Sequence, residues 1–395
     1  MICLNNFSHV ENRTQTNSVK WDKLTSIYQL EDASDVLPMW IADMDFAAPQ
    51  ILIDALKKRL DHPVFGYSFE SNSCTNAFIS WVDKRYDYHV EQKWVLYHQG
   101  IVPAIASIIE TFTSENDAVL ITPPVYAPFF HVPKGLNRTL KECPLIELDG
   151  TYTFDFAKFD EISAAEDVKL FILCHPHNPG GIEWSEDDLQ EIIRICVKND
   201  VLILSDEIHA DLTLDGNKHT PLAKIAGDLQ SHIITCMAPT KTFNIAGIQV
   251  AMTIVSDNQK RLKLIKNANM HAQMGLNIFA STAVEAVYSS EGEEWLNELL
   301  SYISSNMDLV IEKLTTAIPE IKIHKSQATY LLWIDYRNTG LSEDEVMHRL
   351  LSKGKLALEP GTKYGEQGRG FLRMNVACPQ STVEDGINRF IKAFK

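Results

Sequence analysis

Two patterns alternate between Lys169 and Val255. Leu170-Phe171-Ile172-Leu173-Cys174, Val201-Leu202-Ile203-Leu204 and Ile233-Ile234-Thr235-Cys236 are unbroken apolar runs, as expected of strands buried on both faces. Ile248 to Val255 reads as another. Between the first two, Leu189, Ile192, Ile193, Cys196 and Val197 recur at helical spacing, behind a Ser185 cap and an acidic first turn, Glu186-Asp187-Asp188. Continuous strands joined by amphipathic helices predict an α/β fold with a mostly parallel sheet covered on both faces. Ligands of such sheets bind beyond the carboxyl ends of the strands.

Upstream, the pattern predicts a helix from Pro49 to Leu60, helical structure over 71–90, and a short run from Trp94 to Tyr97. Gln99-Gly100-Ile101-Val102-Pro103-Ala104 then opens an apolar helix, and Ala118–Ile121 is a strand. A glycine and free N–H groups at a helix start form an anion site. After Asn267 helical patterns run to Ile318, followed by strand 328–334, helix 342–352, strand 355–358, a loop from Glu359 to Gly370, strand 371–376 and a helix from Ser381. That is a smaller α+β unit. Residues 1–35 are polar and aperiodic, an arm more than a core element. The expected division is 1–48 for the arm and part of a small domain, 49–285 for a large domain, and 286–395 for the C-terminal small domain.

Charge and cysteine usage narrow the classes. A net charge of −16 argues against nucleic acid or an anionic membrane as partner. Seven scattered cysteines without a CxxC pair suggest neither a disulfide frame nor zinc, and without HExxH no metal is expected. No apolar run approaches the roughly 18 residues of a membrane span, and no signal sequence opens the chain, so a cytoplasmic protein is expected.

The sheet-rim rule places Asn178, Asp206 and Lys241 together, each a few residues after an apolar strand. A single loop lysine is usually a surface charge. A partly desolvated one has a lowered pKa, and its neutral amine condenses with an aldehyde to a Schiff base. Amine, carboxylate and amide on one rim suit pyridoxal 5'-phosphate. Lys241 would hold it, Asp206 would pair with the ring nitrogen, and Asn178 would bond the 3-oxygen. Tyr126 would stack on the ring, and the phosphate would sit at Gly100-Ile101-Val102.

In these motifs the chain resembles the class I/II aminotransferases, fold type I of the pyridoxal-phosphate enzymes. The matching pieces are His177-Asn178-Pro179-Gly180, Ser205-Asp206-Glu207-Ile208-His209, Thr240-Lys241-Thr242-Phe243-Asn244-Ile245-Ala246-Gly247 and Leu372-Arg373-Met374-Asn375-Val376-Ala377. The resemblance implies a seven-stranded-type sheet, a homodimer with its active site at the interface, and Arg373 as clamp for the substrate α-carboxylate. Pro38-Met39-Trp40-Ile41-Ala42-Asp43-Met44-Asp45-Phe46 is similar to the hallmark of the cystathionine β-lyase/C–S lyase branch. That puts Ala42, with Arg373 and Asn178, against the substrate. His209 stands where the wider family has a tyrosine beside the cofactor, and Gln249 stands where it often has arginine. Ala238 replaces a phosphate-binding serine, which leaves Thr240, backbone N–H groups and Tyr67 of the neighbouring subunit. The first functional reading is a C–S β-lyase acting on an amino acid. An aminotransferase shares every named residue, and a non-catalytic protein on the same scaffold is the third.

Overall fold

A computed structural model describes residues 5–148, 150–273 and 275–395. Its centre is a seven-stranded sheet: β1 (Val95–His98), β2 (Ala118–Ile121), β3 (Thr139–Glu142), β4 (Val168–Cys174), β5 (Leu202–Asp206), β6 (Ile233–Met237) and β7 (Ala251–Ile254), in the spatial order β1-β7-β6-β5-β4-β2-β3. Strands β3, β2, β4, β5 and β6 pair in parallel, and β7 runs antiparallel to both β6 and β1. The unbroken apolar runs have a direct cause. Phe171 and Leu173 join one hydrophobic cluster, while Leu170, Ile172 and Cys174 join another on the opposite face. Both faces are covered, so alternate positions must all be apolar.

The Ser185 cap accepts from Asp188 N at 3.1 Å and starts the helix Glu186–Lys198. Its buried side includes Leu189, Ile192, Ile193 and Cys196; Ile195 replaces the half-buried Val197 in the expected stripe. The apolar helix Ile101–Phe112 starts at Gly100, whose φ of 130° suits glycine. The strand expected from Ile248 to Val255 is shorter, because Ala246–Ile248 forms a helical turn and Gln249 turns left-handed at φ 59°.

A second sheet holds β8 (Lys322–Ile323), β9 (Leu331–Asp335), β10 (Glu359–Pro360) and β11 (Phe371–Asn375), ordered β8-β9-β11-β10 and antiparallel throughout. Glu359 and Pro360, expected in a loop, are thus its edge strand. Leu37–Pro38 pairs in parallel with Leu356–Ala357 and brings the N-terminal segment alongside. The arm is less irregular than its sequence suggests: Val19–Asp22 and Leu24–Ile27 are short helices, and Lys20 is buried. No helix among the described residues is long and apolar enough to cross a membrane.

Candidate active site

Register brings the rim together. Cys174, Asp206 and Cys236 lie in one row across β4, β5 and β6. Beyond that row is a small cavity lined by seven of the residues expected from sequence: Ala42, Ile101, Tyr126, Asn178, Asp206, His209 and Lys241. Cys174 and Ile208 line it too and were missed, although both flank singled-out residues.

Lys241 sits in a one-turn helix, Pro239–Thr242, and not in the loop expected. Proline at the first position presets that turn. The Nζ group donates to the carbonyl of Ala42. Burial, with help from the Arg373 charge, draws the amine down to about 8, against the opposing pull of Asp43 and Asp206. Asp206 is buried, and burial pushes its carboxyl up to about 7; the Ile208 N–H, bonded to Oδ1 at 3.2 Å, opposes that shift. Oδ2 makes no hydrogen bond among the described residues. His209 is buried and drawn down to about 3 by burial and by the charges of Lys241 and Arg373, so its ring is neutral.

Arg373 donates from Nη1 to Asn178 Oδ1 at 3.0 Å and from Nη2 to the carbonyl of Trp40 at 3.1 Å. The stretch carrying Ala42 is tied down from three sides. Asn244, one turn beyond Lys241, bonds the Met44 N–H and the carbonyls of Met44 and Phe46. Asn375, two residues past Arg373, donates to the carbonyls of Ile41 and Asp43. From the arm, Lys20 Nζ lies 2.6 Å from Asp45 Oδ2 and Arg13 Nη2 lies 2.7 Å from Asp43 Oδ2. Both acids are held by cations and are not the solvated pair that a strand entering a domain would carry.

Other expected residues lie outside the cavity lining. Gly100 and Val102 flank Ile101 at the helix start, and Thr240 is buried beside Lys241. Tyr67 is 99% exposed and lines a separate surface groove with Gln99 and Phe279. Gln249 lines a neighbouring groove with Gly247 and Asn277.

The donor set fits a cationic pyridine bearing an aldehyde. Asp206 has a carboxylate oxygen without a hydrogen-bond partner among the described residues, and Lys241 is an amine easily made neutral. His209 Nδ1 and Arg373 Nε are buried polar atoms lacking a partner among the described residues.

Below the rim, His219 bridges two acids, with Nδ1 2.8 Å from Glu183 Oε1 and Nε2 2.9 Å from Glu207 Oε2. His175 Nε2 approaches the same Glu183 oxygen at 3.5 Å. His175, Glu183 and His219 could reach one metal ion geometrically. Both ring nitrogens of His219 face carboxylates, which draw it up to about 10 despite burial.

The chain matches the family model for aminotransferase class I and II over residues 36–390. It is 44% identical to cystathionine β-lyase PatB of Bacillus subtilis (strain 168) over 388 residues, which is 98% of this chain and 99% of that protein. Cystalysin from Treponema denticola, whose crystal structure contains pyridoxal 5'-phosphate, superposes with a TM-score of 0.95 at 34% identity, covering 99% of this chain and 98% of cystalysin. The PLP-bound C–S lyase from Staphylococcus hominis superposes with a TM-score of 0.92 at 29% identity, over 100% of this chain and 99% of that one.

Proposed function

Because the chain belongs to the class I and II aminotransferase family and uses pyridoxal 5'-phosphate, we propose that it is a carbon–sulfur β-lyase, splitting L-cystathionine or related cysteine S-conjugates into a thiol, pyruvate and ammonia. The contact from Lys241 Nζ to the Ala42 carbonyl carries this reading. It seats the stretch most like the C–S lyase branch directly on the reactive amine.

The cofactor, when bound, supplies an electron sink for the pair left at Cα on deprotonation. Lys241 holds it, and its amine, once free, takes the Cα proton as general base. A group drawn down to about 8 suits that role near neutral pH. Asp206, with its free Oδ2, would keep a proton on the ring nitrogen. Arg373 would take the substrate α-carboxylate, and Asn178, which orients Arg373, would also bond the ring oxygen. Tyr126 would cover the ring, and neutral His209 would border it without competing as a cation. Backbone N–H groups from Gly100 to Val102, with Thr240, receive the phosphate. Loss of thiolate from Cβ breaks the C–S bond, and water completes the release of pyruvate and ammonia.

A dicarboxylate aminotransferase needs a second arginine at the substrate side chain. Arg13 is taken up by Asp43 and Asp45, Arg85 by Asp211, and Arg138 and Arg59 by carbonyls of Leu136 and His62; none lines the cavity.

The working unit is proposed to be a homodimer. Val64, Phe65, Tyr67 and Phe69 form an exposed apolar run, which a second copy would cover while taking Tyr67 to its own phosphate. Buried free cysteines among the described residues suit a reducing compartment, in keeping with the cytoplasm.

Product analysis with L-cystathionine, with and without a 2-oxo acid, tests the reaction. Pyruvate and ammonia without acceptor are expected. Amino transfer that requires the acceptor, with no pyruvate in its absence, would replace the lyase by an aminotransferase.

A further inference from the structure

Arg373 is already paired. Glu359 lies directly opposite it in the β10–β11 register, with Oε2 2.6 Å from Arg373 Nη2. Each residue is only 3% exposed. The same carboxylate accepts from Lys363 Nζ and from the Tyr364 hydroxyl. Tyr364 also places its ring 4.9 Å from the guanidinium carbon. Together with the Asn178 and Trp40 contacts, three guanidinium donors are engaged, and the buried Nε is left without a partner.

A carboxylate so placed has two possible relations to substrate. It could stand in the place of the α-carboxylate and leave when substrate arrives. It could instead be a permanent counter-ion that fixes the guanidinium. The backbone register and the two further donors on Glu359 favour permanence, because leaving would strand Lys363 and Tyr364. Charge agrees: Arg373 and Lys363 against Glu359 leave one net positive charge, which matches one incoming carboxylate. Burial pushes the Glu359 carboxyl up, yet Arg373 and Lys363 outweigh that and hold it below the usual range, so it is ionised.

We propose that Glu359 is the positioning residue of the substrate-carboxylate clamp, holding Arg373 so that Nε remains for the α-carboxylate of the bound amino acid. This rests on the role of Arg373 in the reading above.

The test titrates holoenzyme with L-alanine, which has an α-carboxylate and no leaving group at Cβ, and with ethylamine, the same amine without the carboxylate. The readout is the absorbance of the bound cofactor. Glu359→Gln should weaken L-alanine by about tenfold or more, the scale of one charged hydrogen bond, and leave ethylamine within about twofold. Glu359→Asp should recover part of the loss. Unchanged or tighter L-alanine binding would overturn the proposal, the tighter case making Glu359 a competitor for Arg373. Equal losses for both amines would reduce Glu359 to a structural ion pair and overturn it too. Should Glu359→Gln not give folded holoenzyme, Tyr364→Phe carries the same test, with a smaller loss confined to L-alanine. Wild-type protein silent to both amines would instead sink the amino-acid reading of the whole site, and this proposal with it.

Discussion

Asn178 Oδ1 accepts a hydrogen bond from Arg373 Nη1 at 3.0 Å, joining the rim of the seven-stranded sheet to the middle of the four-stranded one. The cofactor residues belong to the first sheet and the carboxylate clamp to the second. A substrate therefore has a site only where the two sheets meet, and this contact sets Arg373 against the rim there.

Asn178→Ala should release Arg373 on that side. A charged hydrogen bond is worth about 1.5–3 kcal/mol, so KM for a cysteine S-conjugate should rise about tenfold or more. Steady-state kinetics check this. An unchanged KM would mean that the contact does not orient the clamp.

Lys241→Ala should abolish the visible absorbance of bound cofactor in amine-free buffer and cut turnover by orders of magnitude. The wild-type apoenzyme adds a pH test. The amine is drawn down to about 8, and only its neutral form attacks the aldehyde. Cofactor capture should thus accelerate as pH rises towards 8 and level off above it, as read by stopped-flow absorbance. A flat rate between pH 6 and 9 would contradict a titrating Lys241.

Asp206→Asn conserves size and removes the charge. Cofactor should still bind through Lys241, with its visible band present, while turnover falls on the order of a hundredfold, the scale of losing one preorganised electrostatic partner. Normal turnover would place the carboxylate outside the chemistry.

The rim was legible because it depends on strand continuity. An apolar run buried on both faces must be a central strand, and its carboxyl end is where a parallel sheet opens, so Asn178, Asp206 and Lys241 had to converge. Contacts set by distant register were not legible. Glu359–Pro360 is a two-residue strand containing a proline, with no periodicity to read, and its pairing with Arg373 appears only once β11 is laid beside it. The ion pairs of Asp43 and Asp45 were not legible for the same reason, since Arg13 and Lys20 lie in an aperiodic arm whose two helical segments span four residues each. Cys174 was within reach: it ends the apolar run of β4 and so stands at the same rim as Asn178.

His219 makes stability depend on pH in a direction unlike that of a solvent-exposed histidine. Its ring is fully buried between Glu183 and Glu207, and the two carboxylates draw it from 6.5 up to about 10. Glu207 is fixed independently, by the Ser205 hydroxyl at 2.8 Å and the Leu222 N–H at 3.1 Å. His175, tilted against that ring at 4.4 Å between centroids, is pushed down by burial and by the His219 charge and stays neutral. The folded protein therefore holds a proton at His219 that the unfolded chain gives up above about 6.5. A raised pKa contributes stability that is whole below the unfolded value and is lost as pH climbs towards the folded one. Unfolding free energy should then decline between about pH 6.5 and 10. His219→Gln should cost roughly 3–5 kcal/mol at neutral pH, the scale of breaking a buried ion pair. Since other titrating groups are common to both proteins, the decisive quantity is the difference in urea stability between wild type and variant across that range. It should shrink as pH rises; a constant difference would mean that His219 is already neutral between its two glutamates.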